Sequence, residues 1–495
     1  MGIPLKLAGI LLFFLIPSKG YAYLQFDRNC LDAYKKIWNL ELKSGRTLIG
    51  KERAEHPENS LTALLDNYGS FFLVFSTEEK SNYSLFKKDC SRNLEILEKE
   101  SNLKSPLYLF SKAQIHFQSG ILRAKFQDYW SSAFEFRTAY IEFQKNKTAY
   151  PNFRLNDVYL GIIESILGNL PSNLKFILPP LGLTGNLEGG MKKIEAGIIE
   201  VQKSDFNFYY SESVLYYTYL CSSLTPNRKS YEELNAFIIK VPENCLLRIY
   251  VSSWVAMKKN KNDNAISLLS SGPLGKDYSS FHILDYLLGV AYLNRLDSQA
   301  LKHFNLFLSN SKSPNLKQDT YLRLSWAYHI FGKEDLAKKY LMAIPSLNSE
   351  PLTEKDKQAI RESSQGIPNK GLLQARLLFD GGYFITAINQ LNSLDSASLR
   401  TFKDQIEYLY RKGRILESES EYKQAIYYYK LTKKLGSHSS LYFAANSSLH
   451  LGIIYEKMNH PDLAKNNFED CFKFSESEYK SSIDQEAQNG LNRLK

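Results

Sequence analysis

LGIIYEKMNHPDLAKNNFEDC, residues 451–471, carries the pattern that decides the fold. Leu451, Gly452 and Tyr455 give a large residue, a small one and an aromatic three positions later. Ala464, Phe468 and Cys471 follow, a small residue with a bulky one four positions on. Each set keeps helical spacing, so the stretch reads as two helices joined by a short turn. Small residues let the helices approach, and bulky residues fill the groove between them.

Upstream the same pairing recurs four times. Gly413, Leu416 and Tyr422 precede Ala425 and Tyr429; Ala375, Leu378 and Gly382 precede Ala387 and Leu391. Leu324, Ser325, Tyr328 and Gly332 precede Ala337 and Leu341; Leu288, Gly289 and Tyr292 precede Ala300, Phe304 and Phe307. The small first-helix positions fall at 289, 325, 375, 413 and 452, so successive spacings are 36, 50, 38 and 39. The long interval holds an insert from Ser346 to Lys370 with Pro351 and Pro368. A weaker unit sits at Ser253, Ala256, Ala265 and Leu269. The spacing predicts an all-α chain, an α-solenoid of antiparallel helical hairpins.

Towards the N-terminus the repeat fades but the helical period persists. Leu31, Tyr34, Ile37, Trp38 and Leu42 share a face, and Ser44-Gly45 is expected to break that helix. Further helices are expected over 61–75, 85–101, 105–118 and 209–224, and no strand pattern appears. Between them lies YLGIIESILGNLPSNLKFILPPLGLTGNLEGGMKKIEAGIIE, residues 159–200. Here Gly161, Pro171, Pro179, Pro180, Gly182, Gly185 and Gly190 mark a fixed helix–loop–helix corner, since Pro and Gly set backbone angles other residues avoid. The expected organisation is a leader over 1–22, helical hairpins over 23–155, the hinge and connecting helices over 156–245, and the repeat array over 246–495.

The leader expectation rests on MGIPLKLAGILLFFLIPSKGYA: a positive start at Lys6, an apolar run from Leu7 to Ile16, a break at Pro17, and small residues before a cut after Ala22. That run is too short to span a bilayer comfortably. Loss of Lys6 and Lys19, with no acid, takes the net charge from +10 to +8. The mature chain is thus expected to be exported, periplasmic or envelope-associated. Cys30, Cys90, Cys221, Cys245 and Cys471 are widely spaced and fit neither a zinc knuckle nor a redox motif. Pairing of Cys30 with Cys90 or Cys221 with Cys245 stays open beside buried free thiols. Apolar residues at 44% and aromatics at 13% exclude broad disorder. Lysines and arginines are interleaved with acids, without the basic stripe and reader module a nucleic-acid binder needs.

The hairpin pattern over 246–475 resembles the tetratricopeptide superfamily. In the hinge, Gly161, Leu170-Pro171, Leu181-Gly182-Leu183, Gly185, Glu188, Gly190 and Met191 resemble a segment of the eukaryotic inclusion-body clearance proteins, which are tetratricopeptide proteins without established catalysis. That likeness spans about forty residues and implies a shared scaffold in which the hinge joins an N-terminal helical half to the repeats. The leader sets this chain apart from a cytosolic or membrane-peripheral family, so its cellular role is not implied. With its Lys-, Asn- and Tyr-rich usage, the whole chain resembles a bacterial envelope tetratricopeptide protein.

Chemical motifs are sparse. GNLEGGMKK, 185–193, fails as a phosphate loop because Met191 stands where Lys is needed and no Ser or Thr follows the Lys. The eight histidines show no HExxH, and no GxSxG or local Cys–His signature occurs. No catalytic residue, metal ligand or cofactor is assigned. The expected function is a scaffold that binds a protein or peptide partner in the envelope. First-helix positions pointing away from the partner helix supply its candidate contacts: Trp326, His329, Tyr410, Arg414, Glu417, Asn446 and Glu456. The alternatives are an enzyme whose site is assembled from distant residues, and a peripheral membrane protein touching lipid through LKFILPPLGL, 174–183.

Overall fold

The computed structural model describes residues 24–99, 105–170, 172–272, 277–347, 353–474 and 477–494. The expected leader and Pro171 lie outside them. The described residues form twenty-four α-helices with short 3-10 segments and no strand. Consecutive helices pair as hairpins from 28–38 and 42–55 through 443–457 and 461–471, and helix 480–493 closes the stack.

Small residues account for the hairpin packing. A Cβ on Gly289 would lie 2.7 Å from the Phe304 ring, one on Gly413 2.7 Å from Tyr429, and one on Gly452 2.5 Å from Phe468. Each of these rings is fully buried. Ser325 instead donates its hydroxyl to the Ala337 carbonyl at 2.8 Å across its hairpin. The device also appears in the N-terminal half, where Gly120 faces Phe136 at 3.0 Å between helices 106–125 and 129–149. Capping residues fix helix starts. Ser230 with Glu233 and Thr401 with Asp404 form capping boxes, and Asn369 accepts from the Gly371 and Leu372 amides.

Two local expectations change. Ser44 and Gly45 lie inside helix 42–55, and the chain turns instead at Asn39–Glu41, where Leu40 takes φ 63°. Gly45 is there for contact, because a Cβ would sit 2.6 Å from Ile37. The 346–370 insert contains helix 354–363, which packs on helix 317–330.

The 159–200 corner holds helix 155–168, 3-10 segments over 172–177 and 179–181, and helix 187–202. Among its described residues only Gly182 adopts a left-handed φ, at 61°. Gly161 and Gly190 serve close approach: a Cβ on Gly161 would lie 2.7 Å from the Gly190 carbonyl oxygen, and one on Gly190 2.6 Å from that of Gly161. The two helices therefore cross backbone to backbone.

Aromatic residues fill the N-terminal core. Phe143 stacks on Tyr159 at 5.2 Å, and Phe110 and Phe117 meet Tyr159 edge-on at 5.7 and 5.3 Å. One continuous core runs from Leu24 to Leu377, and smaller ones cover 372–415 and 406–487. Distant turns are tied together: the Ser279 amide donates to Leu40 at 2.8 Å, and Glu78 accepts from Ser313 at 3.0 Å and Asn315 at 2.6 Å. All five cysteines are buried free thiols. No helix among the described residues is long and apolar enough to cross a membrane.

Candidate functional site

First helices of successive hairpins lie side by side, 317–330 beside 370–380, then 402–418, 443–457 and 480–493. Their shared face carries arginines clamped between carboxylates and rings. Arg376 forms a two-point pair with Glu362 at 3.0 and 3.1 Å, and its guanidinium lies 4.8 Å from the Trp326 ring centre. Arg323 approaches the same ring at 5.8 Å. Gln358 donates to Glu362 at 2.5 Å. Burial opposes the charge on Glu362, but the attraction of Arg376 outweighs it and holds the carboxyl down at about 2.

One turn on, Arg411 makes two bonds to Glu407 at 2.9 and 2.7 Å. Arg414 donates to the Tyr410 hydroxyl at 3.0 Å and lies over Phe379 at 5.1 Å. Asn446 donates to that hydroxyl at 2.8 Å. Glu417 accepts from Tyr429 through Oε2 at 2.7 Å, and His450 Nδ1 lies 2.9 Å from the same oxygen. Burial and the adjacent Arg414 draw His450 below the usual imidazole value, against the pull of Glu417. Burial opposes the charge on Glu417, but His450, then the Tyr429 hydroxyl and Arg414, outweigh it and hold the carboxyl down at about 2. A cleft of about 310 Å³ opens here, lined by Gln358, Glu362, Arg376, Tyr442, Asn446, Tyr479 and Glu486 among others.

The structure therefore joins Tyr410, Arg414, Glu417 and Asn446 into one network, with Trp326 reached through Arg376. Trp326 and Tyr410 are 4% and 2% exposed and hold the arginines from below rather than facing outward. His329 is apart, paired with Glu334 at 2.8 Å. Glu456 pairs with Arg493 of the last helix at 2.7 Å. Gln358, Glu362 and Arg376 were not singled out from sequence. The first two sit in the insert, and Arg376 adjoins the small position Ala375.

Two other clusters bear on chemistry. Glu212 is buried among Tyr34, Tyr68 and Tyr159, whose hydroxyls all donate to it, the first two at 2.7 and 3.0 Å. Burial outweighs these bonds and pushes its carboxyl up to about 7. An acid inside the aromatic run YYSESVLYY, 209–217, was its sequence signal. Asp27, Glu52 and His56 bring ligand atoms within 4.8 Å of one another. Asp27 there accepts from the Cys30 amide at 2.8 Å and Glu52 from Asn59 at 2.7 Å, so both carboxylates already brace the first hairpin.

No family model matches this chain, and no curated protein does. Among solved structures it overlaps yeast Tom70 at 15% identity, over 93% of this chain and 88% of that one, with a TM-score of 0.25. It overlaps the APC/C hetero-tetramer Cut9–Hcn1 at 13% identity, over 94% and 97%, with a TM-score of 0.24. At such scores the fold assignment rests on the hairpin packing itself.

Proposed function

We propose that this chain is an exported, non-catalytic repeat scaffold that holds a protein or peptide partner of the cell envelope along its first-helix face. The observation that carries this reading is Arg376, fixed by Glu362 and Trp326 in the wall of the cleft, with Arg411 and Arg414 held by Glu407 and Tyr410 on the next first helix. Arginine and aromatic groups anchored in this way recognise peptide carbonyls and acids with little loss of side-chain freedom. The repeat stack supplies a preformed surface, so binding needs little rearrangement. Export draws its support from the apolar stretch before Ala22.

A photo-crosslinking residue in place of Asn446 or Ser482, in cells, tests the face. It should trap one envelope protein, and Arg376→Glu should abolish that product. Placed at Tyr427, which is exposed on a second helix, it should trap none. An unchanged product with Arg376→Glu would overturn the assignment. N-terminal sequencing of the mature chain should start at Tyr23, and a retained Met1 would remove the export reading.

A second reading draws on the hinge. Ile177, Leu178, Leu181 and Leu183 are buried, but Phe176 is 59% exposed and contacts Trp130, itself 47% exposed, at 5.8 Å. Aromatics beside Lys175 suit a membrane interface. Co-sedimentation with anionic vesicles, lost on Phe176→Ser with Trp130→Ser, would favour peripheral membrane contact.

A further inference from the structure

Among helices 28–38, 61–77, 106–125, 155–168, 210–224 and 246–258 lies an apolar cleft of about 310 Å³, lined by Trp38, Phe72, Ile162, Tyr216 and Tyr250 among others. It shares Phe75, Lys125 and Tyr250 with a second cleft of about 280 Å³ that includes Glu78, Trp254, Tyr286 and Lys355. The two clefts therefore adjoin across these residues, the first apolar and the second carrying charge. Each cleft is near the lower end of small-molecule sites.

The acids of the charged part are committed. Glu78 takes Lys125 at 2.6 Å and also Asn315 and Ser313. Asp319 takes Arg323 and the Tyr286 hydroxyl, both at 2.5 Å. Asp356 accepts from the Leu316 and Asp319 amides at 2.8 and 3.1 Å, and Glu354 takes Lys357 at 2.8 Å. Two cations form no ion pair among the described residues. Lys355 donates only to the Tyr286 hydroxyl, at 3.3 Å, and lies over that ring at 5.2 Å. Lys258 lies over Trp254 at 5.0 Å. Burial, with Arg323 and Lys258 nearby, draws the Lys355 ammonium down to about 8 despite Asp319. Asp319 and Asp356 act on Lys355 without pairing with it, so an anion in direct contact with the ammonium relieves the remaining cost of its burial.

We propose that the adjoining clefts bind a long-chain amphiphile with an anionic head, its chain against Trp38, Phe72 and Ile162 and its head on Lys355. The site is separate from the arginine row and does not depend on the partner-binding reading. Binding of hexadecanoate, hexadecyl phosphate and hexadecanol to the full mature chain, followed by calorimetry, tests it. Either anion should bind at least tenfold tighter than the alcohol, and the better anion identifies the head as carboxylate or phosphate. Lys355→Met should weaken the anion at least tenfold and leave the alcohol unchanged, with an unaltered circular dichroism spectrum confirming the fold. Ile162→Trp, which fills the apolar part, should weaken all three. Absence of binding by both anions, equal binding of alcohol and anions, or an unchanged Lys355→Met would each overturn the proposal.

Discussion

In the 155–202 hairpin Gly161 and Gly190 face backbone, whereas in the 402–471 repeats Gly413 and Gly452 face an aromatic ring. A Cβ at Gly190 meets the Gly161 carbonyl oxygen at 2.6 Å and the Ser165 amide nitrogen at 2.8 Å. At Gly413 and Gly452 the obstacle is a ring, which a smaller side chain can replace. Backbone offers no such exchange. The repeats can therefore drift in sequence through paired substitutions, and the corner cannot. The halves differ in charge as well. Glu212 is buried among hydroxyls without a cation, whereas Glu362 is buried against Arg376.

The largest expected effect tests whether the rings act locally. Phe468 wedges between Gly452 and Gly490, so Phe468→Ala opens a cavity and should cost about 3–5 kcal/mol. In a stack held by neighbour contacts the loss should stay at the C-terminal end. Limited proteolysis should trim residues beyond about 440 and spare the rest; uniform digestion would show the halves to be one cooperative unit.

Gly190→Ala comes next, at about 3 kcal/mol, and Ser165→Ala should not rescue it. Gly413→Ala should cost about 1–2 kcal/mol, and a smaller residue at Tyr429 should recover part of that in a double-mutant cycle. Equal rescue at both sites would erase the contrast.

The pH response should separate the halves by sign. Glu212 is raised from 4.5 to about 7, so its favourable contribution is complete below about 4.5 and is lost as pH rises towards 7. Glu362 is depressed to about 2, so its contribution is present above about 4.5 and fades only as pH falls through 2. Going from pH 5 to 8.5 should destabilise the N-terminal half by on the order of 2 kcal/mol through Glu212, a range over which Glu362 contributes no change. Hydrogen exchange resolved by segment would show this. An N-terminal half that gains stability over that range would invert the assignment.

Smallest is the Glu456–Arg493 pair, with the arginine side chain 53% exposed. Arg493→Ala should change stability by less than about 1 kcal/mol. A larger loss, read by chemical denaturation, would mean that the last helix locks the array.

Much of the fold was legible because a repeat states its own rule several times. Gly289, Gly413 and Gly452 recur with a bulky partner 15 or 16 residues on, and the structure places each pair in contact. Gly45 misled because a helix breaker and a close-contact residue look alike without the neighbouring helix. The site was less legible. Trp326 and Tyr410 lie on the right helices, but which side of a first helix stays open depends on the adjacent hairpins, and helical period alone is silent on that. The insert hid Gln358 and Glu362 because its prolines and polar residues obscure a ten-residue helix.

The bond from Asn315 to Glu78 spans 237 positions of chain. A ribosome adding roughly 5–20 residues per second needs about 10–50 s to supply that distance. Until then the acid at position 78 has Lys125 but neither Asn315 nor Ser313. The N-terminal coil thus waits, incompletely closed, for a segment made much later, and any factor that shields nascent chains has that interval in which to act.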